Sequence, residues 1–377
     1  MNRRQRLMTT LRGGAVDRPP VCFYEINGLD EDPTSDDPFN IYSHPSWLPL
    51  IELARDSTDR IVMRSAPFRH HALDPLAEMT HTETWHDGAS RFTRQTVRLG
   101  GRTLSSVSRR DRDVNTVWVL EPLLKGADDL EALLTLPPPA PGREPDIATI
   151  VETETILGDS GIVMIDTPDP LCLAASLFDM GTFTVIALTQ QALFHRLIER
   201  FAAIVWPQTE AIAAALPGRL WRIYGPEYAS PPYLPPRLFE EYVVQYDTPM
   251  VNVIQRLGGF ARIHSHGRLR AILDLIASTG CIGLDPIEPP PQGDVSLRYV
   301  RERYGAQIVL FGNLEASDIE NLPGDLFAAK VRQAVDEGTA GSGRGFVLMP
   351  SACPYGRVLS PLAMENYRTM IDIVDRL

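Results

Sequence analysis

Two histidines separated by one serine, His264 and His266, close the apolar run FARIHSHG that begins at Phe260. If that run is a strand, its side chains alternate with a period of two and both imidazoles point to one side. Two nitrogen donors on one side of a strand end make half of a metal site. The missing donors must come from elsewhere in the chain. Cys353 ends the run GFVLMPSACP, and Glu227 ends LWRIYGPE. Two imidazoles and one thiolate form a zinc set whose fourth position is open or reversibly held by Glu227, and this intermediate softness favours zinc over magnesium or calcium. Taken alone, an H-x-H pair is more often two hydrogen-bonded histidines, and a lone cysteine is more often core. The metal reading rests on their joint placement at strand ends.

That placement requires a scaffold that brings remote strand ends together. Apolar β-type runs recur along the chain: PVCFYE near Pro20, RIVMRS from Arg60, GIVMIDTP from Gly161 and LWRIYGPE from Leu220. FARIHSHG from Phe260, CIGLDPIEP from Cys281, QIVLFGNLEA from Gln307 and GFVLMPSACP from Gly345 complete a set of eight. Several are too continuously apolar to have a wet face, the mark of parallel strands buried on both sides. Helix-like segments lie between them: 190–216, 235–257, 268–279, 295–304, 323–337 and 360–377. Alternating strands and helices with eight strands predict an α/β fold of the (β/α)8 TIM-barrel type, with a doubly wound open sheet as the alternative. A barrel places its chemistry at the carboxyl ends of the strands. Those ends supply Asp166, Glu227, His264, His266, Asp285, Glu288, Asn313, Glu315 and Cys353. The candidate catalytic residues are Glu227, Asn313 and Asp166, although Asp166, before Thr167-Pro168, reads equally well as a helix cap. Tyr224, Tyr228 and Glu315 are candidates for substrate contact.

One stretch departs from this rhythm. From about His81 to Glu121 the sequence alternates, is rich in threonine and turns at Gly100-Gly101, which predicts an antiparallel β-meander inserted in the barrel. His70, His71, His81 and His86 lie in or near it and are expected to face solvent. The proline-rich segment 137–145 is a stiff connector back to the barrel. The 377 residues are expected to form one domain with this insertion and an N-terminal helix. A formal net charge of −12 argues against general nucleic-acid binding and against docking on an anionic membrane. No apolar segment reaches membrane-spanning length, and the basic start is not a secretory signal. Four scattered cysteines suit reduced thiols in a cytoplasm. Apolar faces on barrel helices make a homodimer plausible.

The segment RRQRLMTTLRGGAVDRPPV, Arg3 to Val21, resembles the opening of the uroporphyrinogen decarboxylase superfamily, where a basic amphipathic helix precedes a G-x-x-V-D-R-x-P turn. The resemblance continues through IHSHG, GLDPIEP, RYGAQIVLFGNLEA and GFVLMPSACP, so it covers nearly the whole chain, and it implies a (β/α)8 barrel. True decarboxylases of that superfamily carry an arginine-rich segment after the first strand to hold porphyrinogen carboxylates. Here the segment is YEINGLDEDPTSDD, whose charge would repel a polycarboxylate. The other branch, the zinc-dependent corrinoid methyltransferases, has His-x-Cys after the fifth strand and a cysteine after the eighth. His264 and Cys353 match, His266 stands where that branch commonly has cysteine, and Glu227 matches an acidic residue near the metal. One thiolate with two imidazoles leaves zinc at a formal charge of plus one, a stronger Lewis acid than the neutral two-thiolate set. The resemblance therefore implies transfer of a methyl group from a methylated small molecule, such as an aryl methyl ether, to the Co(I) of a corrinoid (cobalamin) carried by a small partner protein. The competing readings are a methyl-corrinoid:thiol methyltransferase, a metal-free decarboxylase or lyase acting on a small acid, and a non-catalytic binding barrel.

Overall fold

A computed structural model describes residues 1–69, 75–99, 101–142 and 144–377; the expectation for His70 and His71 lies outside them. Eleven strands are present among the described residues: β1 Arg60–Arg64, β2 His81–Asp87, β3 Ser90–Leu99, β4 Arg102–Asp111, β5 Val117–Glu121, β6 Gly161–Pro168, β7 Leu220–Tyr224, β8 Phe260–Ser265, β9 Gly283–Pro286, β10 Val309–Leu314 and β11 Phe346–Pro350. Seven form a parallel sheet in the order β1-β6-β7-β8-β9-β10-β11, with helices in the connections. The other four form a separate antiparallel sheet in sequence order.

Alternation along the parallel strands sorts their residues between two cores. Val62, Val163, Ile165, Trp221, Ile223, Ala261, Ile263, Leu284, Leu310 and Leu348 pack outward in the large cluster shared with the helices. The opposite phase forms a smaller cluster, with Ile61, Ile162, Met164, Leu220, Val309, Phe311, Val347 and Met349. The sheet curls around this inner cluster. Leu7 and Leu11 of the N-terminal helix Arg3–Leu11 join it. That helix starts with a capping box in which the Asn2 side chain accepts from the Gln5 backbone N–H and the Gln5 side chain answers. Arg6 pairs with Asp17 at 2.7 Å and with the fully buried Asp59 at 2.6 Å, and Arg18 reaches Asp59 at 2.8 Å. The Val16-Asp17-Arg18 turn is thus an anchor for the helix.

The run expected as a strand near Pro20 is reduced to a parallel bridge between Val21 and Leu348. Cys22 N donates to Leu348 O at 3.0 Å, Leu348 N to Pro20 O at 2.9 Å and Asp59 N to Val21 O at 2.7 Å. Pro19 and Pro20 have no N–H to extend the ladder, and Tyr24, with φ 54°, turns the chain out of the extended region. The helices follow the expected spacing at 191–215, 297–304, 324–338 and 361–374. The segment 236–256 is helical with a π turn at Glu240–Val244. The helix expected from Arg268 starts only at Leu273, because Arg270 N donates to the Asp294 side chain at 2.9 Å. No helix among the described residues is long and apolar enough to cross a membrane.

The antiparallel sheet spans His81 to Glu121, where alternation predicted it. His81 and His86 are exposed. Its β4–β5 turn is tied to the segment after β11: Asn115 N donates to Tyr355 O at 2.7 Å and Arg357 N to Asp113 O at 2.8 Å.

Candidate active site

The inner phase of the strands changes character toward their carboxyl ends. Below lie Met164, Leu220 and Phe311; above, in the same phase, come Asp166, Arg222, Arg262, His264, Asp285 and Asn313. Buried charges must be paired, and these are. Arg222 forks onto Asp166, with contacts of 2.6 and 3.1 Å, and donates to the Tyr24 hydroxyl at 2.6 Å. Arg262 Nε lies 2.8 Å from Asp285 Oδ1, an ion-pair contact rather than a well-aligned hydrogen bond, and its guanidinium sits 4.7 Å from the Phe311 ring centroid. Tyr24, Arg222 and Arg262 escaped the sequence reading. The signal was there for the arginines: each occupies the same strand phase as a site residue two or more positions away, in LWRIY and FARIH.

His264 closes β8 in this phase and His266 follows it. Their ring centroids are 4.7 Å apart at 88°, so the period-two argument holds. Each ring is braced by a carboxylate from the next strand end. His264 Nδ1 is 2.8 Å from Asp285 Oδ2, and His266 Nδ1 is 2.8 Å from Glu288 Oε1. Glu288 is fixed in turn by the Gly267 N–H at 2.8 Å. Ser265, the residue between the histidines, faces the other way and shares a 3.0 Å hydrogen bond with Ser230, tying the 227–230 turn to β8. Burial pushes the Asp285 carboxyl up, but Arg262 and His264 more than offset this and hold it below the ordinary value. Burial likewise raises Glu288, and its bond to His266 brings it lower still. For His266 burial disfavours the proton, yet Glu288, then Glu227 and Asp285, shift the balance upward.

The other expected residues are placed as follows. Asp166 is the ion-pair partner of Arg222. Glu227 lies in a 3-10 turn after β7 and accepts from Gly225 N at 3.0 Å. Gly225 has φ 128°, and a Cβ there would collide with Asp169 Oδ1, so the turn requires glycine. Asp169 caps the helix Pro170–Ala175. It and Asp247 are fully buried; burial, then the charges of Asp247 and Glu227, raise the pKa of Asp169 well above the usual range, and burial, then Glu227, do the same to Asp247. Tyr224 lies under the Arg222 guanidinium at 5.3 Å, and Tyr228 packs edge-on against Phe183 at 5.9 Å. Asn313 is the penultimate residue of β10, and Glu315 comes directly after the strand, 7% exposed. Glu315 Oε2 accepts from Ser351 Oγ at 3.3 Å, while Oε1 has no partner among the described residues. Cys353 is half-buried and its thiol donates to Glu25 Oε2 at 3.4 Å; burial first, then Glu25, raise its pKa far above the ordinary thiol value.

Among the described residues no three His, Cys, Asp or Glu side chains stand together as a metal-holding group. Each expected donor is engaged locally: the histidines through Nδ1, Glu227 by Gly225 N, Cys353 by Glu25. The imidazole pair fits a metal on its chemistry. A carboxylate on Nδ1 fixes the ring and tautomer and leaves Nε2 as the donor, the usual support of a zinc-binding histidine. Glu25 belongs to the acidic loop after the first segment, and no spacing rule connects it to Cys353.

A curled parallel sheet with its polar layer at the carboxyl ends defines a TIM-like α/β protein. The uroporphyrinogen decarboxylase (URO-D) family model matches residues 115–377, and the chain belongs to that family. A methyltransferase from Methanosarcina mazei superposes with a TM-score of 0.61 at 17% identity, covering 100% of this chain and 99% of that one, a likeness of fold. A D-psicose 3-epimerase crystallised with D-fructose overlaps at a TM-score of 0.32 and 11% identity over 61% of this chain and 82% of its own, too loosely to bear on the site. No curated protein matches the sequence.

Proposed function

We propose that this chain is a zinc-dependent methyltransferase that moves a methyl group from a methylated small molecule, an aryl methyl ether, to the Co(I) of a corrinoid carried on a small partner protein. The observation that carries the reading is the braced imidazole pair, two rings 4.7 Å apart whose Nδ1 atoms are both held by carboxylates. Membership of the URO-D family and a fold shared with a methyltransferase support it. His264, His266 and Cys353 would hold the metal, with Glu227 as a reversible fourth donor. Zinc bound there supplies Lewis acidity toward the ether oxygen.

The chain's own residues then have defined tasks. Asp285 and Glu288 keep the rings oriented and take up the positive charge of the site. Cys353 would serve as the thiolate donor only after giving up its hydrogen bond to Glu25, whose carboxylate could then receive the thiol proton. Glu315, whose carboxyl holds its proton up to about 7, offers an O–H to the departing oxygen. Asn313 and Tyr224 orient the substrate, and Tyr228 backs the wall. The corrinoid would supply the nucleophile for the methyl group, and the ether oxygen would leave with the C–O electron pair and take the Glu315 proton. The seven-stranded sheet and the Val21 bridge make the staves of the barrel in this reading, and the partner docks over their carboxyl ends. Single-turnover assays with methoxyphenols and cob(I)alamin test the proposal. Wild-type protein should consume the Co(I) absorbance, and His264→Ala or Cys353→Ala should abolish this. An unchanged rate in either variant overturns it.

A further inference from the structure

The two faces of the β2–β5 sheet differ in kind. Strand register puts Glu83, Trp85, Asp87, Phe92, Arg94 and Arg109 on one face, where Trp85 stacks on Phe92 at 5.3 Å and Arg94 pairs with Glu83 at 3.9 Å. The opposite face is uncharged over most of its length. There Thr82, Gln95 and Ser106 form one cross-strand row, and Thr84, Thr93 and Ser108 form the next. Charges share this face only at its two ends: Arg91, Arg110 and His86 gather around Phe39 at one, and Arg102 at the other pairs with Asp128 and Asp129. The uncharged part floors a cavity of about 610 Å³, walled by Leu76, Leu123 and Leu177. Among the described residues none of its lining is charged, and none belongs to the histidine site.

The two faces meet solvent with different chemistry, charged on the reverse and neutral here. This one offers hydroxyls and one amide, and among the described residues the side chains of Thr82, Thr93, Gln95, Ser106 and Ser108 have no hydrogen-bond partner. Hydroxyls and amides both donate and accept, so they match a ligand whose groups also do both. A carboxylate or phosphate would lose its hydration here without meeting a counter-charge. The leucine walls suit a ligand with a C–H face, and the volume falls in the range of small-molecule sites. We propose that this groove is a second binding site, distinct from the histidine pair, for an uncharged, hydroxyl-rich molecule of sugar size.

The test is binding to the full chain, by saturation-transfer NMR and calorimetry, with methyl β-glucopyranoside and cellobiose as uncharged probes and glucuronate and glucose 6-phosphate as charged counterparts. Saturable binding of at least one uncharged probe is expected, with the charged ones weaker by about tenfold or more. Thr93→Val and Ser106→Ala should each weaken binding about fivefold, the loss of one hydrogen bond, with unchanged circular dichroism. Ser108→Asp should abolish it. No saturable binding of either uncharged probe, equal binding of the charged ones, or indifference to the variants overturns the proposal. The readout involves neither metal nor methyl transfer, so its failure is separate from failure of the catalytic reading.

Discussion

Glu315 provides a quantitative test of the polar layer. The residue is 7% exposed, with Ser351 on one carboxyl oxygen and no partner among the described residues on the other. Burial first, and the charge of Glu288 second, raise its pKa from 4.5 to about 7. A carboxyl raised on folding binds its proton more tightly in the native state. Its contribution is therefore fully present below the unfolded value and is lost as pH rises through the native one. A rise of 2.5 pKa units (7 minus 4.5), at about 1.36 kcal/mol each, makes the full penalty about 3 kcal/mol, of which about 2.5 kcal/mol develops between pH 5 and pH 8. Glu315→Gln keeps an acceptor for Ser351 but cannot ionise. In equilibrium urea unfolding the variant should gain on wild type by that amount across this interval. Titrating groups that do not interact with Glu315 cancel in the difference. A stability difference that stays flat with pH, or moves the other way, refutes the placement of Glu315 in a desolvated layer beside Glu288.

Three further outcomes follow from neighbouring groups. Asp285→Asn removes the carboxylate charge paired with Arg262 and His264, and should cost about 3–5 kcal/mol in unfolding experiments. In the folded fraction it should also weaken zinc binding about 10- to 100-fold by competition titration. Asp247 is fully buried with neither carboxyl oxygen bonded, and burial, then Glu227, hold its pKa high. Asp247→Asn should therefore raise the denaturation midpoint, more at pH 8 than at pH 6. Gly225→Ala forces a Cβ onto Asp169 and a side chain into a positive φ, and should lower stability and displace Glu227; a crystal structure of the variant with the turn unmoved contradicts this.

The strand ends were legible because buried parallel strands leave continuous apolar runs, and a phase of two places His264 and His266 together. The inserted sheet was legible for a similar reason: Thr82 to Ser108 alternates in a way no barrel helix would. Other parts were not. Arg222 and Arg262 read locally as interruptions of apolar runs; their strand phase marks them as facing the site, but their pairing with Asp166 and Asp285, more than twenty residues away, is a tertiary fact. The strand expected at Pro20 failed for want of two N–H groups, a local fact that its apolar residues outweighed in the reading. The helix from Arg268 starts late because of Asp294, a tertiary contact. Cys353 was placed by its distance beyond β11, but its bond to Glu25 joins two loops that no periodicity relates.

The most direct test of the central claim is zinc K-edge X-ray absorption on the full chain loaded with one equivalent of zinc. The account predicts two imidazole nitrogens and one sulfur in the coordination sphere, with the sulfur lost in Cys353→Ala and one imidazole lost in His264→Ala. A sphere of oxygen and nitrogen alone, unchanged in Cys353→Ala, would contradict it.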